Sequence, residues 1–265
     1  MGWFTKKKER PDATDAAIRA IILRHLVSHT FLAIDALALY RNWGDDARKA
    51  QVLIDFSKNR HEHWSSLGSL RKHISPLEDK YVQSTLDAIT ETQSIGGSWR
   101  AEAMGTILWA LGSVPKILPY DSQFLPEDCQ DFLTVNAEKF IDQARFRPQE
   151  EIDRARDTAE LWHWRSRTRQ IIEEGQPFPT SPEMTAAGFT SYDDIVRTTA
   201  KHALADGIIV DSVDADFPAF GKAYRDLTAE EWSTTKSITM ERHFALNWLC
   251  GYAPDHKWDD TPTDT

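Results

Sequence analysis

Apolar residues recur along most of the chain at intervals of three and four, the spacing that gathers side chains on one face of an α-helix. The longest such stretch is Asp12–Tyr40. Ile18, Ile21, Ile22, Leu26, Leu32, Leu37 and Leu39 cover most of its girth and leave Arg24, Ser28 and Asp35 as a narrow polar stripe. A helix apolar on most sides is buried on most sides. Asp45–Phe56, extendable to His63, gives a second helix. Ser75-Pro76-Leu77-Glu78 is a helix start, with Ser75 as cap and Glu78 closing a capping box, and predicts a helix to about Thr90. Ser94–Gly97 reads as a loop broken at Gly96-Gly97. Trp99–Leu111 is apolar nearly all round and predicts a central helix ended by Gly112.

Further along, Pro115, Pro119 and Pro126 predict an extended connector over Val114–Glu127, then a broken helix from about Pro126 to Ala144. Gln149–Glu174 is helical, with Ile152, Ala155, Ala159, Trp162 and Ser166 on one face and Gly175 as its stop. Ser191–Asp206 is a short helix, and Ile208-Ile209-Val210 is the only strand-like run. Thr228-Ala229-Glu230-Glu231 is a second capping box, opening a last helix that ends at Cys250-Gly251. The pattern as a whole predicts a mostly α fold: a single multi-helix domain of about eight helices over residues 12–265. Trp99–Leu111 is expected at its centre with the last helix packed on it, residues 180–237 form a long loop-rich insertion, and residues 1–11 form a flexible basic arm.

Charges in apolar positions carry the candidate chemistry. Glu241 falls in the middle of the face made by Phe244, Ala245, Trp248 and Tyr252. A carboxylate there must find a partner, stay protonated or bind something. Arg100, between Met104, Ile107 and Leu111, is its first candidate partner, and Arg165, beside Leu161 and Trp162, is the rival. These residues define a candidate site, with Glu241 and His243 as acid–base groups and Arg100, Glu102, Arg165, Arg242 and Asn247 as binding groups. His25 and His29 have the i, i+4 spacing of helical metal ligands. No carboxylate lies beside them at ligand spacing, so they are expected to be core histidines and no metal is expected. His61-Glu62-His63 alternates, which on a helix points its members to different faces, so these polar residues are expected at the surface.

Composition narrows the function. Of 265 residues, 41% are hydrophobic and 27% charged, which is globular, and ten Trp predict an aromatic-rich core. A net charge of -10 argues against nucleic acid as the main partner. The basic cluster Lys6–Arg10 is too short to change that. Asp206–Glu231 concentrates seven carboxylates against two cations, and is expected to be a solvated loop that offers an acidic docking surface for a protein partner. Two cysteines without a C-x-x-C spacing suit a reducing cytosol. No secretory signal is visible, and the apolar run Leu26–Leu39 is short for a bilayer. The expectation is a soluble, cytoplasmic protein with no cofactor. No phosphate-cradling glycine loop, G-x-S-x-G or H-E-x-x-H is present.

W-R-A-E-A with L-W-A-L-G, the A-R-F-R-P turn, E-R-H-F-A-L-N-W-L-C-G-Y and the final W-D-D together resemble the bacterial "domain of unknown function 4272" family. The resemblance runs from about Ile95 to Pro179 and resumes from Ile238 to Thr265; the N-terminal third matches loosely. It carries Trp99, Arg100, Glu102, Trp109, Arg147, Pro148, Glu241, Arg242, His243, Asn247, Trp248, Trp258, Asp259 and Asp260. It implies a mostly helical intracellular domain without an agreed activity. Two functions follow as expectations: a non-catalytic binding or partner-neutralising domain, or a hydrolase or transferase of a small anionic substrate that uses Glu241 and His243.

Overall fold

The computed structural model describes residues 9–263. Ten α-helices carry almost all of the regular structure among these residues, so the fold is mostly α. They are α1 (Ala13–Asn42), α2 (Asp46–Ser65), α3 (Pro76–Val82), α4 (Glu91–Ala110), α5 (Gln130–Leu133), α6 (Ala137–Gln143), α7 (Gln149–Glu173), α8 (Pro182–Ala186), α9 (Tyr192–Ala205) and α10 (Ala229–Leu249). One antiparallel hairpin, β1 (Pro218–Ala219) and β2 (Lys222–Ala223), pairs Pro218 with Ala223 and Ala219 with Lys222.

The chain divides into two compact units. The first comprises residues 1–117, 124–152 and 244–262, and the second residues 118–123, 153–243 and 263–265. Of the basic arm, residues 1–8 lie outside the described residues. Pro11 is buried, and the Glu9 carbonyl lies against Gly251, where an added Cβ would come within 2.3 Å.

The first unit is built on α1. Asp12 caps it, its side chain accepting from the Asp15 N–H while Asp15 answers on the Asp12 N–H. Its most extensive neighbour is α4, followed by α2. Helix α1 is long and apolar enough, by length and composition, to cross a membrane, but its apolar window is mostly buried inside the protein. Helix α4 is buried at every position from Ala101 to Ala110, as its all-round apolar pattern predicts.

Helix α4 also corrects the expected break at Ser94–Gly97, because it begins at Thr90 and runs through both glycines. Thr90 caps it, accepting from the Gln93 N–H at 3.2 Å, and this capping box starts a new helix where the preceding one was expected to end. Gly97 is kept inside the helix by proximity rather than propensity: a Cβ there would lie 2.3 Å from Thr30 Oγ1 on α1. A glycine pair read as punctuation is, at its second member, a contact surface. Helix α3 correspondingly stops at Val82, well short of Thr90.

In the second unit, α9 with Ser191 as cap and α10 with its Thr228–Glu231 capping box form as expected. Ile208–Val210 is not a strand. It has no partner strand, and Val210 is 97% exposed. Nor is Asp206–Glu231 a solvated loop, since Ile209, Asp216, Phe217, Ala219, Ala223, Tyr224 and Leu227 are all buried.

The glycines of α4 give a paired prediction. Nothing lies within 4 Å of a Cβ added at Gly96, so Gly96→Ala should stabilise the protein by about 0.5–1 kcal/mol through helix propensity. A Cβ at Gly105 would lie 2.5 Å from the buried Phe124 ring, so Gly105→Ala should cost about 1–2 kcal/mol net of that gain. Urea midpoints check both, and a Gly105→Ala midpoint at or above that of the parent would contradict the steric account.

Candidate functional site

In the second unit the expected site residues are drawn into buried joints. Arg165 is not free for Glu241. Its Nε donates to Asp216 Oδ1 at 2.6 Å and its Nη2 to Oδ2 at 2.7 Å, with side chains only 2% and 0% exposed. Asp216 accepts two more bonds, from the backbone N–H groups of Phe217 (2.8 Å) and Arg225 (3.0 Å). Burial alone would raise its pKa; the Arg165 hydrogen bonds and charge, with these two N–H groups, hold it below the usual carboxylate value. The Arg165 guanidinium lies over the Tyr224 ring at 4.6 Å. Trp162 meets Phe217 edge-on and stacks on Tyr120.

Arg242 and His243 follow the same pattern. Arg242 donates from Nη1 to the Leu118 and Pro119 carbonyls and from Nη2 to the Ser122 carbonyl (2.9 Å), and sits over Tyr120 at 5.0 Å. His243 is fully buried, with Nδ1 3.0 Å from Nδ1 of His163. One ring must donate and the other accept, so the pair cannot carry two protons on those nitrogens. Glu241 is 4% exposed and engaged within the protein.

The first unit holds the rest. Glu102 is buried and accepts the Phe124 N–H. Asn247 donates to the Pro262 carbonyl at 2.8 Å. Arg100 is half-buried, not deep in the apolar surround expected for it, and lies over the Phe244 ring at 4.8 Å. The far side of this group is the W-D-D end. Trp258 packs edge-on against Phe244 and Trp248, and carries Arg19 over its ring at 4.8 Å. Arg19 in turn donates to both Glu78 oxygens (2.9 and 2.7 Å) and to the His73 carbonyl (3.0 Å). Asp259 accepts the Leu77 N–H at 2.9 Å.

His25 and His29 lie in an aromatic nest of Phe56, His63, Trp64 and Tyr81. His63, expected at the surface, turns inward and bonds the His25 carbonyl at 2.9 Å. The expectation of hydrogen-bonded core histidines is half met. Both are buried, but neither His29 nitrogen nor His25 Nδ1 has a partner. Among the described residues no group of three or more His, Cys, Asp or Glu could hold a metal ion.

The first unit also holds open clefts, and two of them are lined by several basic side chains. One, of about 760 Å³, is lined by Arg19, His73, Asp255, His256 and the W-D-D residues. Its charges largely close on one another: Arg19 on Glu78, Asp259 on the Leu77 N–H, and Lys257 near Asp255 at 3.6 Å. The other, of about 580 Å³, opens on the outer face of α2 and is lined by Lys58, Arg60, His61, Trp64 and Arg71 among others.

Sequence reasoning missed Arg19, His163 and Asp216. The first carried a signal, an arginine between Ala16, Ile22 and Leu23 on a helix apolar on most sides. Asp216 carried only its apolar neighbours in an otherwise acidic segment.

Removing one member of the Arg165–Asp216 pair strands a buried charge. Asp216→Asn should therefore cost about 3–5 kcal/mol in chemical denaturation, and a loss below about 1 kcal/mol would show that the pair is not closed in solution. Acid should weaken the fold through its histidines. Burial is the main cause that pushes His25 and His243 down to about 3 and His29 and His163 down to about 4; His63, His163, Arg24, Arg60, Arg156, Arg167 and Lys236 add to it as neighbouring charges. The unfolded chain titrates them near ~6.5. The unfolded state thus binds more protons between these values, so their stabilisation is fully present above ~6.5 and is lost as pH falls towards 4 and 3, at about 1.4 kcal/mol per pH unit for each ring. Urea midpoints from pH 7 to 4 should fall, and His29→Phe should flatten that slope; an unchanged slope would remove His29 from the acid response.

Comparison with known proteins adds the family. The profile described as "Domain of unknown function (DUF4272)" matches residues 7–185. It therefore includes the N-terminal third, α1 to α3, where the motif resemblance was loose, and ends before α10 and the W-D-D residues. No curated protein and no solved structure matches the chain. With more than half of its 265 residues matched, the chain belongs to the family of the domain of unknown function DUF4272.

Proposed function

We propose that the protein is a non-catalytic binding domain that docks a cationic protein surface through Asp206–Glu231. The observation that carries this reading is a pair of two-residue turns in that segment. Asp214 and Ala215 (φ 49 and 58) turn the chain between Val213 and Asp216, and Phe220 and Gly221 (φ 52 and 70) turn it between β1 and β2. Positive φ at both central positions is the tight hairpin geometry, but it favours Asn, Asp or Gly, and a phenylalanine there is strained. Such strain persists only where the surroundings enforce it, and it concentrates where function demands it. Here Asp216 lies directly between the two turns, held by four N–H donors. The Phe220 N–H is also fixed, on Asp121 Oδ2 at 2.8 Å.

This rigid segment presents Asp206, Asp211, Asp214, Asp226 and Glu230 to solvent, with Val210 bare and Phe220 38% exposed. Exposed apolar side chains interspersed along the segment with like charges suit a partner that offers both basic and apolar groups. The acid–base reading has less support. A general base must reach a substrate proton, and His243 is enclosed and bonded to His163 while Arg242 is committed to three carbonyls. We infer a cytoplasmic setting from a chain with only two cysteines, Cys129 and Cys250, both buried and without a C-x-x-C spacing.

The test is a titration of the full chain with a fluorescent peptide of alternating Lys and Leu. Binding should weaken as salt rises past the range where the screening length drops below about 8 Å. The triple variant Val210→Ser/Asp211→Asn/Asp214→Asn should bind roughly tenfold more weakly, given about 0.2–1 kcal/mol for each exposed charge and the lost apolar contact. Equal affinity for the parent and the variant would overturn the assignment of this surface.

A further inference from the structure

We propose that the cleft on the outer face of α2 binds a phosphorylated small molecule with an apolar body. The site is independent of the acidic docking segment. Its positions Ile54, Ser57, Lys58, His61 and Trp64 recur at three- and four-residue spacing, so one stripe of α2 faces it. Arg71, from the 3-10 turn Gly68–His73, and Val82, at the end of α3, supply the other wall.

Charge is the first argument. The protein carries a net charge of -10, yet this cleft is lined by Lys58, Arg60, His61 and Arg71 and by no carboxylate. Of the acidic side chains on α2 and α3, Glu62 stands 4.0 Å from the lining Lys58 with both side chains largely exposed, and Asp79 accepts from the Gln83 side chain, which leaves Arg60 and Arg71 as the cations without a carboxylate partner among the described residues. Cations gathered in a concavity against the sign of the whole molecule focus anions there.

Positioning is the second. Arg60 is held in place by Nη1, which donates to the Ser84 carbonyl at 2.7 Å and the Gln83 carbonyl at 3.1 Å, while its other nitrogens take no acceptor among the described residues. Arg71 makes no ion pair among the described residues. A fixed guanidinium fork beside an exposed one suits a doubly charged oxyanion better than a single carboxylate.

The third is an unmet donor. Trp64 is 3% exposed and lines the cleft, and its buried indole Nε1 has no acceptor among the described residues. A buried N–H without a partner is costly, and a ligand oxygen would satisfy it once the groups that cover it move aside. Ile54, 60% exposed, and Val82 offer an apolar seat for the rest of the ligand. The volume of about 580 Å³ matches a metabolite-sized molecule.

The probe is phenyl phosphate, followed through the Trp64 indole N–H in nitrogen–proton spectra of the full chain, assigned with Trp64→Phe. Phenyl phosphate should shift that resonance saturably, inorganic phosphate should bind more weakly, and phenol should leave it unmoved. Arg71→Glu should weaken phenyl phosphate about tenfold or more, and Arg71→Lys should retain most of the affinity. Arg71 is exposed, so the melting temperature of either variant should match that of the parent. Absence of a saturable shift, or equal affinity in Arg71→Glu, overturns the site. Inorganic phosphate binding as tightly as phenyl phosphate overturns the apolar body. Asp211→Asn/Asp214→Asn should bind phenyl phosphate like the parent, which keeps this result separate from the docking segment.

Discussion

A guanidinium taken out of water must have acceptors for its edges and cover for its faces, and much of this structure follows from that requirement. Arg165 and Asp216 meet it with a bidentate pair, two further N–H groups on the carboxylate and an aromatic ring under the cation, although Arg165 Nη1 is buried without an acceptor. The pair contributes little net stability after desolvation, but it fixes geometry, because any other arrangement leaves a buried charge unpaired. Asp216 thereby holds the irregular segment that follows α9. Arg242 does the same for residues 118–122 through their carbonyls, and Arg169 for the turn before α10 through the carbonyls of Tyr224 and Leu227. Arg147 holds the end of α4 and the connector after it, on the carbonyls of Trp109, Val114 and Pro115. Loops have carbonyls without ladder partners, and arginine, with five donors and no acceptor, supplies what they lack.

The same requirement accounts for the aromatic content. Trp109, Trp232 and Trp258 lie under Arg147, Arg169 and Arg19, and Tyr120, Tyr224 and Phe244 lie under Arg242, Arg165 and Arg100. In each case the ring covers the face of the cation, whose edge is free to donate elsewhere. A lysine would keep the charge but lose both the flat stacking surface and the fork, so Arg and Lys are not equivalent at these positions. His25, His29, His163 and His243 are handled in the opposite way. They are buried, tilted or edge-on against other rings, and the enclosure that disfavours their charge also makes the fold sensitive to acid.

Helices were legible in the sequence wherever a capped start met an apolar period, as at Asp12, Ser75, Ser191 and Thr228. The breaks were less so. Gly96-Gly97 looks the same in sequence whether it ends a helix or lets a neighbouring helix approach, because the difference lies in Thr30, some sixty-seven positions earlier in the chain. The candidate site was legible as a set of misplaced charges and not as a set of pairs. Arg165 and Glu241 both stood out on helical faces, but Asp216 stands in a loop without a period, so nothing marked it as the partner of Arg165. The long acidic count over Asp206–Glu231 suggested solvent for the same reason. Composition sums the segment, whereas its structure depends on one carboxylate facing inwards and the others outwards.

That separation of one carboxylate from its neighbours bears on how the molecule uses charge. At physiological salt the field of an exposed charge fades over about 8 Å, so a net charge of -10 does not act as one uniform field. What an approaching molecule meets is local. Over Asp206–Glu231 it meets carboxylates on a backbone held by a buried ion pair, and at the α2 cleft it meets cations with no carboxylate among the lining groups. Exposed charges of this kind steer an encounter and add a modest share to a complex once formed. In the proposed docking, Val210 and Phe220 would supply the apolar part of retention, and in the proposed α2 site Ile54 and Val82 would supply it beside the cations that select the anion.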